Sequence, residues 1–481
     1  MQYDDIIVGA GSSGAVLAAR LTEDPNRHVL LLEAGPDYAD VDSTPEDLLN
    51  SYWISVIAHD WGLKADAVPE RPIDFPRGKV TGGSSAVNGA MAIRGVPQDY
   101  DAWSEAGNHE WSWERCLPYF RTLEDDRDAR GDFHGTGGPI PVTRWKDESC
   151  IPSARLLRRL PRPRIRAGGR PQRPHGHRRR SMADEPRGAH PHLYGDRLPG
   201  ERAPPPQSHH PPALPREPRH HGGEPGGRRR GGIGRRNAGG VRQEHHPGRG
   251  RGHEPAHPLA VRYRAATGTG VARHRCMLDR PSVGANLVDH PVASVTLLPK
   301  DGVCSMENPV VQIGTRYTAP GSKHFNDMQL YMISQIDMTQ LPELQAALGA
   351  PDMVFSLISV LQKPYSRGSV KLASADFHEP PHIDLRYHED PEDMRRAKDG
   401  VRLAWEIAHR PEVEQFHNGV LILTEDMVND DAALEEYIRA TSTTLYHPVS
   451  TCKMGPSEDP TAVVDQHGRV YGVPGLRVVD A

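Results

Sequence analysis

The apolar positions of this chain fall into blocks of different period. Residues 3–35 open with the run Ile6-Ile7-Val8, pass through a glycine-rich turn and an alanine-bearing stretch, and end on Val29-Leu30-Leu31-Leu32. That order predicts a strand, a tight turn, a helix and a second strand within one unit. Far downstream, Val292, Ser294, Val295, Thr296 and Leu297 alternate broadly between apolar and polar, as a sheet strand does. Residues 390–416 place Met394, Ala397, Val401, Leu403, Ala404 and Ile407 at broadly helical spacing. Residues 155–275 follow neither period. No stretch approaches the ~20 apolar residues of a membrane span, and no repeat of about 20–50 residues is visible. The start runs directly into the first strand without a basic-then-apolar leader, so a soluble cytoplasmic protein is expected.

Composition sharpens the break in the middle. The 481 residues carry 58 Lys+Arg against 63 Asp+Glu, a formal net charge of −5, and this length suggests two to three domains. Residues 155–275 alone hold 28 Arg, 18 Pro, 20 Gly and 13 His against 8 Asp+Glu, with no Lys, Phe or Trp. Their net charge of +20 leaves −25 on the rest of the chain. Such a segment lacks the apolar area to offset chain entropy and is expected to be disordered. A nucleic-acid-binding arm, a solvated linker and a segment translated out of frame are the three readings of it. The flanks use 21 Arg to 9 Lys, as a GC-rich gene would. Shifting such codons by one base yields mostly Arg, Pro, Gly, Ala and His, so the shifted frame fits best and no nucleic-acid partner is expected. Five unclustered cysteines (Cys116, Cys150, Cys276, Cys304, Cys452) argue against a disulfide scaffold or a Cys-based metal site.

The N-terminal unit carries chemistry. Gly9, Gly11 and Gly14 form G-x-G-x-x-G directly after the first apolar run. The first glycine permits the tight turn, the second lets the backbone approach a pyrophosphate, and the third lets helix pack on strand. Glu33, placed at the end of the second strand, lies where a carboxylate accepts hydrogen bonds from a ribose. Together these features point to a dinucleotide without separating NAD from FAD. Further along, Gly82-Gly83-Ser84-Ser85 and Asn88-Gly89-Ala90 would let backbone amides come close to a flat ring or a phosphate.

With residues 76–95 (PRGKVTGGSSAVNGAMAIRG) the chain resembles the glucose–methanol–choline (GMC) oxidoreductase family, in particular its choline-dehydrogenase-like bacterial alcohol dehydrogenases. The likeness continues through residues 99–124, 134–142, 281–291, 363–374 and 446–481, roughly three quarters of the chain. The resemblance implies an α/β FAD-binding (Rossmann-like) domain with an α+β substrate domain. On this reading residues 1–154, 276–292 and 446–481 build the FAD domain and residues 293–445 the substrate domain. It implies FAD as the cofactor, with Gly9, Gly11, Ser12, Gly14 and Glu33 at its ADP portion. Val80, Gly82, Gly83, Asn88, Gly89, Ala90 and Met91 match the loop over the flavin ring and diphosphate, and Asp480 and Ala481 match a late segment returning to the cofactor. Some members attach FAD through a histidine in the flavin loop. Val87 stands at that place here, so non-covalent FAD is expected.

Alcohol oxidation by a flavin needs a base for the hydroxyl proton, and histidine is the usual choice near neutral pH. His447, in the family's H-P-V-x-T-C pattern, matches one member of its catalytic pair. Pro448, Thr451 and Cys452 read as structural, and nothing around His290 or His467 demands chemistry. The pair's second member, a His or Asn, follows the V-V-D-A segment in the family; the sequence stops at Ala481, so a truncated product is expected. The expected function is oxidation of a primary alcohol to an aldehyde with a small alcohol as substrate. The acceptor is expected to be quinone-type rather than oxygen. An inactive, pseudogene-like product and a lyase of the hydroxynitrile-lyase type are the alternatives.

Overall fold

The N-terminal unit forms as its pattern requires. Strand β1 (Asp5–Val8) pairs in parallel with β2 (Val29–Leu32), and helix α1 (Ser12–Leu21) connects them. Glu33 is the first residue beyond β2 rather than its last. The computed structural model describes residues 2–50, 52, 54, 55, 58–144, 278–307, 309–376 and 378–480. The disorder expected for 155–275 lies outside the described residues, as does Ala481.

β3 (Lys64–Val68) and β4 (Arg71–Asp74) form a hairpin. Helices α2 (Pro97–Glu105) and α3 (Trp113–Leu123) follow, clasped by Tyr100, whose ring meets Trp103 at 5.4 Å and Phe120 at 5.5 Å between centroids. The parallel pair β5 (Glu124–Asp126) and β6 (Ile140–Val142) comes next. β7 (Pro291–Pro299), β8 (Val311–Tyr317), β9 (Met328–Asp337) and β10 (Met353–Leu361) then build an antiparallel sheet. β11 (Ser369–Lys371) and β12 (His382–Asp384) instead extend the first hairpin, in the order β11-β12-β3-β4. Helix α4 (Pro391–Ala408), β13 (His417–Val420), helix α5 (Asp431–Thr441) and β14 (Thr443–Thr444) follow. Both β13 and β14 pair with β7, giving the large sheet the order β13-β7-β10-β9-β8.

The alternation expected in β7 is present. Ala293, Val295 and Leu297 face the main core, while Val292 joins a separate cluster with Tyr331, Ile358 and Val360. Helix α4 covers the first face with Met394, Ala397, Val401, Ala404 and Ile407, all buried; Leu403 lies off this stripe and is only half-buried. Asp390 caps the helix by accepting the Glu392 amide at 2.8 Å, and Pro391 occupies the first turn. The helix ends short of the expected span because Pro411 forces Arg410 into extended backbone (φ −78°, ψ 142°).

One polar residue on this apolar face ties the helix to a loop. Arg396 is wholly buried, donating to Asp327 at 2.8 Å, to Asp393 at 2.7 Å and to the Lys363 carbonyl at 3.0 Å. Asp393 in turn accepts the amides of Tyr365 and Ser366 at 2.8 and 2.7 Å. The helix thereby fixes the loop after β10, which borders the site described next.

Candidate active site

The glycine turn has the geometry its spacing suggests. Gly9 sits at φ +93°, in the region that favours glycine, and a Cβ on Gly14 would stand 1.9 Å from the Gly9 carbonyl oxygen. Helix α1 begins directly after Gly11, at Ser12, and aims its positive end at this turn. Glu33 accepts the Ala10 amide at 2.7 Å on one carboxylate oxygen and the Gly35 amide at 2.8 Å on the other. It thus ties the turn to the end of β2.

The second glycine cluster packs on the first. The Gly82 amide donates to the Ala10 carbonyl at 2.8 Å, and a Cβ on Gly83 would approach the Gly11 Cα to 2.8 Å. Beside this contact lies a cavity of about 310 Å³ lined by Val80, Thr81, Ser85, Asn88 and Ala90 on one side and by Tyr38 on the other. Asn88 folds this loop by accepting the Ala90 amide at 2.8 Å, and Ala90 adopts φ +53°. At Gly89 an added Cβ would meet Ile54 only at ordinary contact, 3.7 Å, and Met91 is exposed. Gly9, Gly11, Ser12, Gly14, Glu33, Val80, Gly82 and Gly83 are therefore gathered in one place, with Asn88 and Ala90 on the adjoining wall. Asp480 lies at the surface near Cys452; burial first and its charge second push that thiol to about 12.

Four separated sequence motifs meet around His447. Val288 and Val449 exchange backbone hydrogen bonds at 3.0 and 2.8 Å, so residues 287–291 run antiparallel to 445–449. Leu287 exchanges a second pair with Gly368, which brings in the loop after β10. From the segment of the second glycine cluster, Arg77 donates through Nη1 to the Tyr446 carbonyl at 2.8 Å. The same segment, five residues further on, bonds the N-terminal glycine turn through Gly82. One short stretch of backbone thus spans from the His447 turn to the Gly9–Gly14 turn.

His447 is exposed on its open side and crowded by protein on the others. That crowding lowers its pKa from the ordinary 6.5, opposed by the negative Asp289 and reinforced by Arg77. Its ring meets His290 edge-on, with centroids 5.4 Å apart and planes at 89°. His290 is pushed down to about 4, by burial first and by His447 second. Nothing in the sequence around His290 pointed to this neighbour: it is the imidazole packed against His447. Asp289, which accepts the His447 amide at 2.9 Å, was also missed. The acid of N-L-V-D-H, standing between an apolar run and a strand, was the available signal for a buried carboxylate.

Comparison with known proteins assigns the family. Residues 3–159 and 364–481 match the two models of a family described as GMC oxidoreductase. The chain belongs to the GMC oxidoreductase family. Oxygen-dependent choline dehydrogenase of Burkholderia thailandensis is 32% identical, with 100% of this chain and 89% of that protein covered. Oxygen-dependent choline dehydrogenase 1 of Chromohalobacter salexigens is 30% identical, with 100% and 90% covered. Among solved structures, pyridoxine 4-oxidase from Mesorbium loti superposes with a TM-score of 0.70 at 22% identity, covering 100% of this chain and 94% of that one. A formate oxidase gives 0.68 at 17%, covering 100% and 93%. At these identities the likeness concerns the fold.

As a GMC oxidoreductase the protein is an FAD-dependent oxidoreductase acting on alcohols. The residues present fit that cofactor. Two glycine turns approach so closely that side chains at Gly14 or Gly83 would fill the space between or beneath them. A helix N-terminus of the kind that receives a diphosphate faces the turn. Among the described residues no helix is long and apolar enough to cross a membrane.

Proposed function

We propose that this GMC oxidoreductase converts a primary alcohol to its aldehyde, with His447 as the group that takes the hydroxyl proton. The observation that carries the reading is the 77–83 segment, bonded at one end to the turn of His447 and at the other to the glycine turn. It links the backbone of the His447 turn and the dinucleotide cradle through one short stretch. FAD, when bound, supplies the hydride acceptor. Gly9, Gly11, Ser12, Gly14 and Glu33 would hold its ADP portion. Val80, Gly82, Gly83, Asn88, Gly89, Ala90 and Met91 would hold its diphosphate and ring, with Asp480 and Ala481 returning from the far end of the chain. A lowered pKa keeps the His447 imidazole neutral near pH 7, the form that can accept a proton from an alcohol docked on its open side. Val87 has no nucleophile to offer the flavin, which supports non-covalent attachment.

The test is direct. The purified protein should be yellow, should bleach on anaerobic addition of a primary alcohol, and should release its FAD into the supernatant on acid precipitation. Flavin retained in the pellet would overturn non-covalent attachment; retention of colour across a panel of primary alcohols would overturn the substrate class. Reoxidation should then be timed with oxygen and with a soluble quinone. The family style favours the quinone, whereas the relatives named above are oxygen-dependent, so a faster rate with oxygen would replace the quinone reading.

A second reading, a product without turnover, is supported by two observations. Residues 155–275 have the composition of an out-of-frame segment. Ile6, Val8, Leu31 and Leu32 are each more than a third exposed, although parallel strands usually bury such residues on both faces. This reading predicts colourless protein in the same preparation.

A further inference from the structure

His447 owes its position to a turn that no local sequence preference explains. The residue before it, Tyr446, has φ +67°, a left-handed conformation that a bulky side chain adopts only when its surroundings impose it. Both backbone polar groups of Tyr446 are held by side chains. The Tyr446 amide donates to the Thr444 hydroxyl at 2.6 Å, and its carbonyl accepts from Arg77 at 2.8 Å. The Thr444 hydroxyl itself donates to Asp289 Oδ2.

Asp289 is the hub. It is 4% exposed and accepts four hydrogen bonds. The amides of His447 and His290 reach Oδ1 at 2.9 and 2.7 Å, while the hydroxyl of Tyr387 reaches Oδ2 at 2.6 Å beside that of Thr444. Arg77 stands on the same side, and its Nε and Nη2 are buried without a hydrogen-bond partner among the described residues. Its contact with the Tyr446 carbonyl is thus its main polar anchor near the site. Among the described residues, His447 therefore faces one negative group, Asp289, one positive group, Arg77, and the imidazole of His290.

We propose that Asp289 and Arg77 are a positioning pair for His447: together they clamp the left-handed turn that aims its imidazole, and they present opposite charges to it. Neither touches the reacting atoms. The pair explains why an acid is buried directly before His290, and why an arginine stands at the end of the glycine-rich segment nearest His447. The proposal rests on the reading of His447 as the proton acceptor.

The experiment follows the ring-proton resonance of His447 through a pH titration of the full chain, with the signal assigned by its loss in H447Q. Asp289→Asn removes the charge and keeps the shape of the hub: its oxygen can accept both amides, while its NH₂ donates to the two hydroxyls, which must turn their own protons elsewhere. Asp289→Asn should lower the titration midpoint, and Arg77→Met should raise it, each by roughly half a unit. Opposite shifts are the signature of the pair. A merely structural role would loosen the turn in both variants, admit water, and move both midpoints upward; that result, or no shift in either, would overturn the proposal. Thr444→Val supplies a third arm should Asp289→Asn not fold. It removes the acceptor of the Tyr446 amide without touching a charge, so the midpoint should hold while kcat for flavin reduction falls several-fold at unchanged KM. An unchanged kcat in that variant would also overturn the clamp. The titration needs neither substrate nor cofactor, so it can fail while His447 remains the base, and the H447Q kinetics can fail while the clamp stands.

Discussion

His447→Gln should slow alcohol-driven flavin reduction by about 10²–10⁴-fold, the range general-base catalysis contributes. FAD should remain bound, because the glycine turns lie at the other end of the 77–83 segment and touch no part of His447 in the described contacts. Glutamine keeps the size and one hydrogen-bonding end of the imidazole, but it cannot take a proton near neutral pH. The loss should therefore appear in kcat and in kcat/KM alike, as expected for an interaction made in the transition state. The pH profile of the parent enzyme tests the same assignment with a definite sign. The base works when neutral, and crowding by protein disfavours the imidazolium, so activity should be retained at pH 7 and fall as pH drops through a midpoint below the ordinary 6.5. Anaerobic stopped-flow reduction across pH measures both. A loss of less than tenfold in H447Q, or an acid limb centred above 6.5, would remove His447 from the role of base.

The largest expected effect on stability lies at Arg396→Met. The guanidinium is wholly buried between two wholly buried carboxylates, Asp327 and Asp393. Methionine fills much of the same volume with apolar atoms, but it leaves both carboxylates without their counter-charge. Breaking a buried pair in this way costs about 3–5 kcal/mol. The carboxylates still accept hydrogen bonds from Ala319, Ser322, Tyr365 and Ser366, which keeps the loss within that range. Urea unfolding should show a lower midpoint with an unchanged slope. Arg396→Lys should fall between parent and Met, since one ammonium cannot reproduce the fork that reaches Asp327, Asp393 and the Lys363 carbonyl together. A change below about 1 kcal/mol in the Met variant would show that solvent or rearrangement relieves the pair, in the range of an exposed ion pair.

The elements that were legible are those whose cause is local. The run Ile6-Ile7-Val8, the glycines and the apolar residues before Glu33 each state their own conformation, so strand, turn and helix followed directly. Helix α4 was likewise legible from its stripe, with two differences. Leu403 stands off the buried face because, at about 100° per residue, its angular position lies beyond the edge that Ile407 marks. The helix also stops at Ala408, since Pro411 acts on the residue before it. Its buried arginine was not legible, because the two aspartates that neutralise Arg396 include one 69 residues away.

The site divides in the same manner. By itself the sequence determined the glycine turn and the family, and it pointed to Glu33 and to His447 as candidates, because each is written in a contiguous motif of side chains and spacings. Only the tertiary structure decided what stands against His447. Asp289 is 158 residues from it and Arg77 is 369 residues from the Tyr446 carbonyl it holds, so no local pattern records either contact. The left-handed Tyr446 is the same kind of fact. Its own preference opposes that conformation, and the turn persists because a buried carboxylate, a threonine and an arginine from distant parts of the chain satisfy its backbone there.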